Sequence, residues 1–137
     1  MELSGRKLKY AARGLPNISF QQENVLRANW GPCRGLALIH LLHHLSSFED
    51  QERLLRRCYD SLMPGGVLVM LEVDTTPAWK FLLSQVVDHV AYPFDRFFFR
   101  KSQTFTELMS AIGFREIQVM PAHRGVFLSH AILVGMK

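Results

Sequence analysis

The sequence predicts an α/β fold built on a mostly parallel sheet with an antiparallel strand at its C-terminal end. Three observations carry that expectation. The runs "GLALIH" (35–40) and "VLVMLEV" (67–73) are short, unbroken and apolar, as in strands buried on both faces. Segments of helical period alternate with them. Two closing runs, "REIQVM" (115–120) and "SHAILVG" (129–135), are joined only by the loop "PAHRGVFL", the natural span of a hairpin. With 137 residues, the chain is expected to form one domain, residues 1–137.

The elements follow in order. Ser4 is placed to cap a helix over 4–14, with Leu8, Ala11, Ala12 and Leu15 at helical spacing and Gly14 near the end. Pro16 and Asn17 turn the chain into a short strand around Ile18 to Phe20. Residues 21–34 carry turn residues and no clean period, so they read as loop. Ser46 with Glu49 and Ser47 with Asp50 both have capping-box spacing. The helix behind them has Leu54, Leu55, Cys58 and Leu62 as its stripe and stops at "MPGG", Met63 to Gly66. Pro77 is placed to open a helix carrying Trp79, Leu82, Leu83, Val86, Val87 and Val90, a spacing that suits core packing. Ser102 or Thr104 caps the next helix, with Phe105, Leu108, Met109 and Ile112 inward and Gly113 at its end.

Composition narrows the function classes. Hydrophobic residues make up 48% and charged residues 20%, which excludes a disordered chain. The net charge of +4 is mild and spread out. The basic groups "GRKLKYAAR" and "RLLRR" read as solvated helix faces, and no nucleic-acid partner is expected. No apolar run is long enough to cross a membrane as a helix, and the start of the chain does not read as a signal peptide. Cys33 and Cys58 lack CxxC spacing and read as reduced, mostly buried thiols, which suits a cytoplasmic protein.

"HLLHHLSSFEDQ" holds His40, His43 and His44, which on one helix would share a face. His40, however, ends the strand "GLALIH", so the three do not lie on one helix. No cysteine or acid is placed by the sequence to complete a tetrahedral set, and no metal site is expected.

The ordered series resembles the C-terminal part of class I S-adenosylmethionine-dependent methyltransferases. "LLHHLSSFEDQERLLRRCYDSLMPGGVLVMLE" is similar to that family's stretch from the end of strand four to strand five. "FTELMSAIGFREIQV" is similar to its late helix, turn and sixth strand, and "HAILVGMK" to its closing strand. "MELSGRKLKYAARGLPNISFQQENV" resembles the end of strand two through strand three. The resemblance implies a Rossmann-like methyltransferase sheet, N-terminally truncated, because strand one and its Gly-rich loop would precede this segment. No GxGxG occurs in the chain. A Gly-rich turn lets backbone approach the cofactor closely, so its absence implies weak cofactor binding.

The same resemblance implies the site. Glu2 would accept hydrogen bonds from the ribose hydroxyls of S-adenosylmethionine. Asn24 and Val25 would meet the adenine. His40 and Leu41 would lie beside the methionine moiety. The sulfonium is already an activated donor, so the protein supplies alignment and desolvation. A general base is needed only where the acceptor loses a proton. His43, His44, His89 and His123 are the candidates, and the sequence does not choose among them. The aromatic segment "YPFDRFFFR" reads as a packed linker or as a lid over an apolar acceptor. A small-molecule or lipid-type acceptor is expected. The alternative is a non-catalytic interaction or binding module that self-associates through an open sheet edge. A nucleotide-binding module of another class would need a phosphate-cradling glycine loop.

Overall fold

The structure is a computed structural model and describes Asn17, residues 21–122 and residues 127–137. The helix expected at 4–14, the strand at 18–20, Glu2 and His123 lie outside the described residues. Within them, β1 is Cys33–Ile39 and leads through a 3-10 turn, Leu42–His44, to helix α1, Phe48–Ser61. Strand β2, Leu62–Val73, follows, then α2, Ala78–Ala91, and α3, Ser102–Ile112. Strands β3, Arg115–Pro121, and β4, His130–Met136, close the chain.

The strand order is β1-β2-β4-β3. β1 pairs parallel with β2, Leu36 opposite Leu68 and Leu38 opposite Met70. β4 runs antiparallel to both of its neighbours, β2 and β3. Three strands therefore share a direction and the last opposes them, as the sequence predicts. The two apolar runs are adjacent, with β2 interior and β1 at the edge among the described residues. β2 begins earlier than expected. The "MPGG" segment after α1 already joins the sheet through a turn at Gly65, whose φ is 75°: Gly65 N–H donates to Lys137 O and Lys137 N–H to Gly66 O. A Cβ on Gly66 would lie 2.8 Å from Met63 O, so this turn has room for glycine alone.

The sequence reads both apolar strands as buried on two faces, and the described sheet departs from this. Leu68 and Met70 are fully buried, whereas Val69 between them is exposed. Ala131 and Leu133 of β4 are buried, and their neighbours are half-buried. α1 and α3 cover one face through Leu54, Leu55, Cys58, Phe105 and Met109. Ser47 caps α1, its Oγ accepting from Asp50 N–H at 3.1 Å. Of the two capping boxes, the second is the one in use. Lys101 takes the N-cap position of α3, one residue before the predicted Ser102.

Helix α2 also differs from expectation. Pro77 occupies its N-cap position rather than its first turn. The stripe expected in the core faces outward: Trp79, Leu82 and Val90 are 62%, 63% and 77% exposed. Helical spacing marks an apolar face but does not say what covers it. α2 is held instead by polar ties, its buried Ser84 Oγ accepting from Ser129 N–H at 3.1 Å.

Candidate functional site

The site lies at the C-terminal ends of β1 and β2, where open α/β sheets carry their crevices. Glu72, near the end of β2, is buried. Its Oε1 accepts from Leu41 N–H at 2.9 Å and Leu42 N–H at 2.8 Å. Its Oε2 lies 2.6 Å from His43 Nδ1. With the carboxylate as acceptor Nδ1 carries the hydrogen, and in the neutral ring the lone pair is then on Nε2. One carboxylate thus fixes the chain reversal after β1 and the tautomer of His43. Backbone amides freed by the end of a strand need an acceptor, and the acidic residue next to the end of "VLVMLEV" is in reach because β1 and β2 are paired.

A cavity of about 530 Å³ opens beside this reversal. Val25, Trp30, Leu38, His40 and Leu41 are among its lining residues. The volume is in the ordinary range for small-molecule sites, roughly 300–1,000 Å³. Three residues singled out by sequence, Val25, His40 and Leu41, meet here. Asn24 does not line the cavity. Its Oδ1 accepts from Leu26 N–H at 2.9 Å, so it closes the turn that presents Val25. Arg57 of α1 holds this loop, donating to Leu26 O and Ala28 O and lying over the Trp30 ring. The sequence reads "RLLRR" as a solvated face, which suits Arg53 and Arg56, paired with Asp50 and Glu52. Arg57 is the exception.

The histidines divide by environment. His40 borders the cavity with φ of 48°, in the left-handed region that L-residues seldom occupy. Its ring meets His130 edge-on, centroids 4.7 Å apart. Burial, and then the nearby His43, pull its pKa below the ordinary histidine value, against the opposing pull of Glu72 and Asp88. His130 is lowered for the same first reason, burial, with His40 adding to it. His43 is buried and stacks on Phe99 at 5.4 Å. His44 packs edge-on against Tyr92 and Phe97, and burial lowers its pKa. His89 is exposed, its Nδ1 2.7 Å from Gln85 O. Of the segment "YPFDRFFFR", Phe97 and Phe99 pack over these rings and Phe94 is exposed. Sequence reasoning did not single out Glu72, Asp88 or Trp30 as site residues. An acid at a strand end was visible, but its partners become evident only with the pairing of β1 and β2.

Solved structures share this fold. S-adenosylmethionine-dependent methyltransferase SibL, in its apo form, matches with a TM-score of 0.75 at 18% identity, over 96% of this chain and 39% of its own. Human N-acetylserotonin methyltransferase in complex with SAM matches with a TM-score of 0.65 at 22% identity, over 86% of this chain and 33% of its own. An O-methyltransferase family protein from Burkholderia thailandensis matches with a TM-score of 0.67 at 17% identity, over 87% of this chain and 35% of its own. The chain therefore spans well under half the length of these three proteins. No curated protein sequence matches it significantly. Residues 7–119 match the family model described as a methyltransferase domain, and the chain belongs to that family.

Proposed function

We propose that this chain serves S-adenosylmethionine-dependent methyl transfer to a small-molecule or lipid-type acceptor. The observation that carries the reading is the cavity at the end of β1, into which Val25, His40 and Leu41 converge. Its mostly apolar walls suit the cofactor's adenine and methionine chain. The human neighbour named above has SAM bound, and membership of the family supports the same donor. The sulfonium supplies the activated methyl group when the cofactor is bound. The chain's own contribution is to position and to exclude water. Glu72 holds Leu41 and Leu42, so the lip is fixed before any ligand arrives. His40 is the base where the acceptor must lose a proton. Among the described histidines it is the one lining this cavity, and its lowered pKa keeps the ring neutral and able to accept.

The absence of a GxGxG segment predicts that the 137-residue chain binds S-adenosylmethionine weakly, with a dissociation constant well above micromolar. NMR titration with S-adenosylmethionine tests both points. Amide shifts should centre on Val25, His40 and Leu41 and saturate only at millimolar ligand. Shifts centred elsewhere, or none, reject the cofactor site. A micromolar constant rejects the argument from the missing glycines.

A second reading, a binding module that self-associates, is favoured by the position of β1. Among the described residues, its outer edge has no strand partner, and such edges recruit other chains. Light scattering distinguishes the readings: this one expects dimers or larger species, and a clean monomer removes it.

A further inference from the structure

We propose that His43, His44 and Asp88 form a binding site for a divalent cation of the zinc type, pinning helix α2 to the turn that follows β1. The inference is independent of methyl transfer. From the sequence no acid is in place to join the histidines, but the fold brings Asp88 to them from the last turn of α2. The three residues offer ligand atoms that all lie within 4.8 Å of one another. His43 Nε2 lies 3.8 Å from Asp88 Oδ2, too far for a hydrogen bond. Two ligands of a tetrahedral zinc ion stand about 3.4 Å apart, so a small side-chain adjustment closes the site.

A second observation points to a ligand. His44 Nδ1 and Asp88 Oδ2 are buried and have no hydrogen-bond partner. The His44 side chain is only 4% exposed. Buried polar atoms without partners are rare and destabilising, and one cation satisfies both. The surroundings are also those of a metal site. Glu72 receives His43 Nδ1 and leaves Nε2 free to coordinate, the carboxylate–histidine arrangement that orients metal ligands. Phe97 and Phe99 supply an apolar wall. A polar cavity of about 460 Å³ borders His44. Asp95 Oδ2, 3.7 Å from His44 Nδ1, stands at the rim of the cluster, and the fourth position is left to solvent.

The test uses the full chain, freed of metal by a chelator. Co²⁺ is titrated first, because four-coordinate cobalt gives intense visible bands. One equivalent should produce them, and Zn²⁺ should displace them and raise the melting temperature. Asp88→Asn and His44→Gln should abolish the bands. Glu72→Gln should weaken affinity about 10–100-fold while leaving the band positions unchanged. His89→Ala, on the exposed face, should change nothing. Circular dichroism checks the fold of each variant, and if Asp88→Asn or His44→Gln unfolds, the wild-type cobalt spectrum decides. Absent or weak octahedral bands in the wild type overturn the proposal. So do bands that survive in both ligand variants, or that vanish with His89→Ala.

Discussion

Replacing Glu72 tests how the reversal after β1 is held. In Glu72→Ala, the amides of Leu41 and Leu42 and the Nδ1–H of His43 lose their acceptor together. All three converge on a carboxyl group that is itself buried. A buried donor left unpaired costs about 1–3 kcal/mol, and hydrogen bonds to charged groups lie at the upper end. Three of them give a loss on the order of 5–9 kcal/mol, against roughly 5–15 kcal/mol for a whole domain. Glu72→Gln has the same shape. Its carbonyl oxygen still receives both amides, and only the contact with His43 turns unfavourable, so the expected loss is about 1–2 kcal/mol. Urea unfolding of the metal-free chain, followed by circular dichroism, gives both values. The reasoning fails if the two variants lose the same stability, or if alanine costs less than about 1 kcal/mol.

Other outcomes are expected at single sites. At His40, whose φ is 48°, asparagine tolerates the backbone and a β-branched residue does not, so His40→Val should be about 1–2 kcal/mol less stable than His40→Asn in urea. Cys58 is fully buried and its thiol is pushed up to about 12 by burial, with Cys33 adding to the shift. Mass spectrometry after brief alkylation at mild alkaline pH should therefore find Cys58 unmodified in the folded chain and modified in urea. The rings of His40 and His130 have pKa values lowered chiefly by burial, so the unfolded chain binds protons first as pH falls below about 6.5. Their contribution to stability is complete above that value and is lost on acidification. NMR titration of the metal-free chain should place both midpoints below that of an unfolded control, and midpoints above it reverse the sign.

The strands and helices that sequence marks most clearly are those whose stabilisation is local or periodic. Ser47 caps α1, Phe105 and Met109 face inward on α3, and the last two strands pair antiparallel. Val25, His40 and Leu41, named from the family resemblance, line one cavity, whereas Asn24, named with them, closes a turn. What escaped depends on contacts distant in sequence. Arg57 looks like any helix-surface arginine until the loop carrying Leu26 and Ala28 lies against it. Asp88 is one polar residue among valines until α2 folds over His43. The apolar stripe of α2 has the period of a core helix and is nevertheless exposed, because periodicity records one face of an element and not its neighbour.

The strand order carries a consequence for biosynthesis. β4 lies between β2 and β3, so the inner edge of β2 has no partner until residues 130–136 have been made. On the ribosome, β1, α1 and β2 emerge before the other described elements and can form their parallel pair. Throughout synthesis of α2, α3 and β3, the opposite edge of β2 presents Leu68, Met70 and their backbone groups unpaired. Waiting intermediates of this kind are where nascent chains aggregate or engage chaperones. Slow translation between Val73 and His130 should therefore lower the soluble yield of this protein, whereas a pause before β2 should not.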